Sequence, residues 1–172
     1  MAVKPRLWTR GFILDTLVNF LIYIIYYMLV VIIASEAISS LNATVSEAGL
    51  AAGIFVLGTL AARLAAGRSV EIYGRKKMLY GGILFYLVTT CMYFAVDSLP
   101  LMYGVRFLNG IGYGIASTAT STIVSAMIPE ERRGEGINYY ALSMSLAAAI
   151  GPFLGMMMQQ FFSFRIIIMF CV

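Results

Sequence analysis

Five long apolar runs, separated by short polar breaks, organise this chain: residues 12–34, 46–66, 78–96, 99–127 and 137–161. A sixth run opens near Arg165 and stops at Val172. Roughly 20 apolar residues in helical form cross a bilayer, and each of the first five runs reaches about that length. None shows the alternation in roughly 10-residue segments that an outer-membrane barrel requires. The pattern therefore predicts an all-α membrane protein with five full spans and a partial sixth. The fourth run is longer than a crossing needs, which predicts tilt or extension beyond the membrane. The first run follows Lys4, Arg6 and Arg10, as in a signal peptide, but it far exceeds the about 7–15 apolar residues of such a leader. It reads as a retained first span. The run at the end would reach only about 12 Å at 1.5 Å per residue, well short of a hydrocarbon core of about 30 Å. On that ground the chain is expected to be a fragment or truncated form of a longer protein.

Composition agrees with the pattern. The chain is 61% hydrophobic and 12% charged, with a mean hydropathy of +0.89, outside the range of soluble domains. A net charge of +4 does not point to nucleic acid, because the cations sit in short loops beside the runs and no basic face is interleaved with aromatics. There is no His, which removes the commonest metal ligand and general base. With no paired carboxylates on one face and no nucleophile beside a base, neither an enzyme nor a metal or cofactor site is expected. Cys91 and Cys171 fall inside apolar runs and read as buried free thiols.

Charge placement predicts orientation. Lys4, Arg6, Arg10, Arg63, Arg68, Arg75, Lys76, Lys77, Arg132 and Arg133 all fall at one end of the predicted spans. The breaks at the other end hold Glu36, Glu47 and Asp97, with Arg165 alone among cations. By the positive-inside bias the first end, with the N-terminus, is cytoplasmic.

Several residues stand out against this background. Residues 67–79 form a dense charged segment between two oily runs. Gly67 and Gly74 let a backbone turn tightly where a Cβ would clash, and Arg75, Lys76 and Lys77 flank the next span. Glu71 can pair with Arg75 or cap a helix N-terminus, although a plain topogenic loop would carry the same charges. Arg106 lies within a span, where a charge costs about 2.5–3.5 kcal/mol on insertion scales. It is either an arginine snorkelling to the outer interface or one that faces an interior cavity. Gly110 and Gly114 follow it at the small-xxx-small spacing that lets helices approach closely. Asp15, Asn19 and Tyr23 recur every four residues and share one face of the first span. Asp15 is, apart from Glu47 at the very edge of the second run, the one carboxylate in a predicted span, hence either a proton carrier or a solvated interfacial acid. It lies too far from Arg106 along the bundle to pair with it. Gly151 and Pro152 interrupt the fifth span, and Gly155 extends a smooth packing face. Met156, Met157, Met158 and the aromatic stretch 80–93 read as lipid-facing or packing surface.

Three of these segments resemble signatures of the major facilitator superfamily. Residues 67–79, G-R-S-V-E-I-Y-G-R-K-K-M-L, are similar to the loop motif G-x-L-a-D-r-x-G-r-k-x-x-l between that family's second and third helices, with Glu71 in place of Asp and Ser69 at the small apolar position. Residues 106–114, R-F-L-N-G-I-G-Y-G, resemble the fourth-helix pattern R-x-x-q-G-x-g, with Asn109 for Gln. Residues 147–155, A-A-A-I-G-P-F-L-G, resemble the fifth-helix antiporter motif g-x-x-x-G-P-x-x-G-G, with Ala147 and Met156 replacing its first and last glycines. The three occur in order and cover essentially the whole chain. The resemblance implies that residues 1–172 are the N-terminal six-helix half of a drug/proton antiporter-like transporter in the plasma (inner) membrane. Its partners would be the bilayer, protons, a small-molecule substrate and the missing C-terminal half. The function implied is proton-coupled export of small amphipathic or drug-like molecules by alternating access. Two alternatives are a proton or sodium symporter importing a sugar or metabolite, which the G-P-x-x-G pattern disfavours, and a non-transporting membrane scaffold or sensor. Residues implied in proton coupling or the substrate cavity are Asp15, Asn19, Tyr23, Arg106, Asn109 and Tyr113. Gly67, Glu71, Gly74, Arg75 and Lys76 would form a conformational latch against a helix of the second half, with Gly110, Gly114, Gly151, Pro152 and Gly155 serving kink and packing.

Overall fold

The chain folds as a bundle of six helices in a computed structural model that describes residues 6–172, apart from the side chains of Arg68, Val70 and Glu71. The helices are α1 (Arg10–Ser40), α2 (Val45–Tyr73), α3 (Arg75–Cys91), α4 (Leu99–Met127), α5 (Arg133–Phe161) and α6 (Phe164–Cys171). Short 3-10 turns, Met92–Ala95 and Glu130–Arg132, follow α3 and precede α5.

Local chemistry sets the helix ends. At the start of α1 the backbone N–H of Phe12 donates to Thr9 Oγ1 at 3.2 Å, satisfying a donor that the helix itself leaves free. At α2 a capping box closes: the Thr44 N–H donates to Glu47 Oε2 at 2.8 Å and the Glu47 N–H donates to Thr44 Oγ1 at 3.3 Å. Between α2 and α3 only Gly74 breaks the helix, at φ +85°, a conformation cheap for glycine alone. This corrects the expectation that Gly67 also turns the chain. Gly67 lies inside α2, with open space where a Cβ would sit.

Among the described residues, four helices are long and apolar enough to cross a membrane: Arg10–Ser40, Val45–Gly67, Arg75–Ala95 and Glu130–Phe161. Their outward faces carry Leu14, Leu17, Leu21, Leu57, Leu60, Leu64 and Phe153, each about half exposed or more. Such apolar cladding suits lipid and not water. α4 spans 29 residues but falls outside that set because glycine, serine and threonine dilute its apolar content. Its position explains why: α4 packs between α2 and α3 and also touches α1, so its polar groups meet protein. α1 in turn packs along α5.

Close backbone approach builds both pairings. A Cβ on Gly114 would fall 2.7 Å from the Cβ of Ala62 and 2.8 Å from the Thr59 carbonyl oxygen, so α4 and α2 touch through it. On α5, a Cβ on Gly151 would lie 2.6 Å from Tyr27 Cβ and one on Gly155 3.1 Å from the Met28 carbonyl oxygen. α5 runs on through Pro152 as a single helix, its missing N–H tolerated where neighbours cover the freed carbonyl.

Candidate functional site

Two buried polar assemblies and one open face fill the interior of the bundle. The first lies between α3 and α4. Asn109 is fully buried, and its amide nitrogen donates to Thr89 Oγ1 at 3.1 Å and to Thr90 Oγ1 at 3.0 Å. Its oxygen accepts a long bond, 3.5 Å, from the Tyr93 hydroxyl. Asn109 is thus a tie between two helices and not a side chain on the open face. Arg106 sits one turn away on the α2 side, 1% exposed. Its Nε donates to the Ala51 carbonyl at 3.2 Å, its guanidinium lies 4.4 Å from the centre of the Phe55 ring, and Nη1 has no hydrogen-bond partner among the described residues. Burial that complete removes the snorkelling alternative. Arg106 is instead an interior cation held by a carbonyl and a π-face.

The second assembly joins α1, α4 and α5. Asn19 Nδ2 donates to Ser143 Oγ at 3.5 Å, and Asn19 Oδ1 accepts from Thr120 Oγ1 at 3.2 Å. The Tyr140 hydroxyl donates to Thr120 Oγ1 at 3.0 Å and lies 3.4 Å from Ser121 Oγ. Asp15 sits one turn below Asn19 on the same face of α1 and is 6% exposed, so it is not a solvated interfacial acid. Its Oδ2 and the Thr16 hydroxyl have no hydrogen-bond partner among the described residues. The carboxyl is thus buried a turn from the hydroxyl network, with one oxygen unpartnered among the described residues. Asp15 and Arg106 form no ion pair. Among the described residues the one ion pair is Arg132 with Glu135, at 2.6 Å on the surface.

The open face begins where Tyr23, the third member of the α1 face, emerges half-buried. Tyr26 stacks on Phe55 with ring centres 5.0 Å apart, and Tyr113 lies 4.8 Å from Tyr26 and 5.5 Å from Tyr23. These rings surround a pocket of about 250 Å³ that Arg63 also lines. Beside it runs a groove of about 560 Å³ walled by Ser117, Thr118, Ser121, Thr122 and Ser125. Tyr23 and Arg63 belong to both, so the two join into a cleft of the size that holds small molecules. Ser121 links this cleft to the Asp15–Asn19 assembly through Tyr140.

The structure brings Tyr23 and Tyr113 together on the open face and leaves Asp15 and Asn19 buried behind it, while sequence reasoning singled out neither Thr120, Tyr140 and Ser143 nor the place of Arg63 on the cleft. Arg63 was read as one more basic-end cation, although it lies inside a span. The hydroxyls at 117, 120, 121, 140 and 143 recur at helical spacing, a signal that points to facing polar stripes on α4 and α5. Of the loop residues, Gly74, Arg75 and Lys76 line a cleft with Gly67 at the end of α2. Glu71, the acid of the expected latch, lies outside the described residues with respect to its side chain. No cluster of three metal-ligating side chains occurs among the described residues.

A bundle clad in exposed leucine and phenylalanine, with its polar groups turned inward, is an integral membrane protein. Residues 16–172 match the model of the Major Facilitator Superfamily, and the chain belongs to that superfamily. It is 30% identical over 132 residues to an uncharacterized MFS-type transporter of Methanocaldococcus jannaschii, covering 77% of this chain and 34% of the relative. A hexose transporter of Saccharomyces cerevisiae is 33% identical over 104 residues, 60% of this chain and 19% of its own. Multidrug resistance protein 3 of Bacillus subtilis is 25% identical over 101 residues, 59% of this chain and 20% of its own. The chain spans about a third or less of the length of these relatives.

Proposed function

We propose that the protein carrying this chain is a proton-coupled secondary transporter that exports small amphipathic or drug-like molecules by alternating access. The chain supplies one of two helical halves, with its N-terminus and the loop around Gly74 on the cytoplasmic side of the plasma membrane. One observation carries the reading: Asp15, buried with a free carboxyl oxygen, lies a turn from a hydroxyl network that reaches Ser121 on the open cleft. A proton on Asp15 and a substrate in the cleft would thus share one hydrogen-bonded wall. Tyr23, Tyr26, Tyr113 and Phe55 supply the apolar body of that wall, as an amphipathic substrate requires. The packing of Gly151 and Gly155 on α1 couples α5 to the same helix that carries Asp15. Gly67, Glu71, Gly74, Arg75 and Lys76 form the latch against the second half.

In everted vesicles bearing the full-length protein, substrate should accumulate inside only while the lumen is kept acid, protons leaving as substrate enters. Accumulation that ignores the gradient would sink the antiport reading. The hydroxyl-lined groove at residues 117–125 favours a second reading, proton-coupled sugar import. It predicts sugar entry into right-side-out vesicles along an inward proton gradient, which the antiporter does not support.

A further inference from the structure

Three clefts on the open face join end to end. The aromatic pocket and the hydroxyl groove share Arg63, and the hydroxyl groove shares Thr118 and Thr122 with a cleft of about 780 Å³ walled by Arg75, Lys76 and Lys77. The path therefore runs from a basic mouth, past hydroxyls, to an arginine beside a cage of tyrosines. Among the described residues no Asp or Glu lines any of the three. Asp15 is buried behind the wall, Glu130 and Glu131 sit in the connection between α4 and α5, and Glu135 lies in the first turn of α5.

Topology alone accounts for Arg75, Lys76 and Lys77, since basic loops anchor membrane orientation. It does not account for Arg63. That residue lies four positions before the end of the Val45–Gly67 span, about 6 Å inside it at helical rise. It is exposed to the cleft and has no ion-pair partner among the described residues. An unpaired guanidinium facing a shared cleft offers a planar fork of donors that fits a carboxylate through two parallel bonds. The rings of Tyr23, Tyr26 and Tyr113 stand next to it to receive an aromatic body. The basic mouth would raise the local concentration of anions from the cytoplasmic side.

Building on the transport reading above, we propose that this path selects aromatic organic anions, with Arg63 as the residue that sets the charge preference. A cationic drug would instead meet four like charges and, among the described residues, no acid on its way in.

The test uses the full-length protein in proteoliposomes and three probes with one ring system: naphthoate, its neutral amide naphthamide, and the cation naphthylmethylammonium. Naphthoate should exchange fastest, and rising salt should narrow its lead. Arg63→Gln should lower the ratio of naphthoate to naphthamide flux about tenfold, the loss expected for one charge-assisted hydrogen bond. Arg63→Lys should restore part of that ratio by returning the charge without the fork. Because both probes are read on the same preparation, the ratio is independent of how much protein folds. Equal or faster flux of the cation, or a ratio that survives Arg63→Gln, overturns the proposal. Flux that is gradient-driven but blind to charge overturns the anion preference alone, whereas loss of the gradient dependence in everted vesicles overturns the transport reading itself.

Discussion

Gly110 of α4 rests directly on the backbone carbonyl of Phe55 in α2, closer than any side chain would permit. The contact is reciprocal one turn on, where Gly58 of α2 meets the carbonyl of Phe107. Thr59 stitches the same seam, its hydroxyl donating to the Gly110 carbonyl at 3.1 Å. Helices in lipid associate by such close packing, because no hydrophobic drive distinguishes lipid from leucine. The seam also places Tyr113 against Phe55, with ring centres 5.4 Å apart, and so shapes the aromatic pocket.

Gly110→Ala should therefore destabilise the protein by about 1–3 kcal/mol, the usual effect of overpacking, measured by unfolding in mixed detergent micelles. Gly53→Ala is the matched control on α2, since nothing lies within 4 Å of the Cβ it adds. It should leave the transition in place. Equal losses in the two variants would refute the seam.

The two glycines of the loop signature should behave oppositely. Gly74 holds φ at +85°, so Gly74→Ala should cost about 1–2 kcal/mol in backbone strain. Gly67 is helical with open space around it, so Gly67→Ala should be neutral or slightly stabilising. The same unfolding titration reads both, and a larger loss at Gly67 would contradict the single break at Gly74.

Asp15→Asn preserves the shape of the buried side chain and removes its ability to ionise. The network one turn along its face of α1 joins Asn19, Thr120, Ser143 and Tyr140, the last of these its one titratable member. Uphill accumulation driven by a pH gradient should disappear, while substrate exchange at equal pH persists. Retention of gradient-driven accumulation would move the proton site elsewhere.

Among the described residues Arg106 has no acid partner and one unpartnered nitrogen. Replacing a buried, poorly compensated charge by an apolar chain of similar volume is often neutral, or stabilising by about 1–4 kcal/mol. Arg106→Met is thus expected to keep or raise the melting temperature in detergent while abolishing transport. A fall in melting temperature that parallels the loss of transport would assign Arg106 a purely structural role.

The number of helices was legible in the chain before any tertiary contact, but not all of their limits, since α1 runs on to Ser40 and α2 to Tyr73, past the apolar runs that begin them. Apolar runs of span length satisfy their backbone in lipid only as helices, and α4 ends where its run ends, at Leu99 and Met127. The loop motif was legible too, but the roles of its two glycines were not, because spacing does not reveal which of them leaves the helical region. Asp15 and Arg106 were recognisable as expensive residues, yet each kept two readings. Burial at 6% and 1% removed the solvated and snorkelling alternatives, and burial depends on which neighbours arrive.

What the sequence by itself determined is the set of elements, the membrane as their solvent, and the membership of three motifs on their proper helices. What only the tertiary structure decided is the facing: Asn109 toward α3, Arg106 toward α2, Asp15 toward α4 and α5, and Arg63 toward the open cleft. The physical reason lies in the solvent. A helix in water betrays its inner face by an apolar stripe against a polar one, whereas helices such as α1 and α2 are apolar all round, and lipid and protein interior demand the same residues. The facing is then set by where backbones can touch, at Gly58, Gly110, Gly114, Gly151 and Gly155, and those contacts exist only once the helices are together.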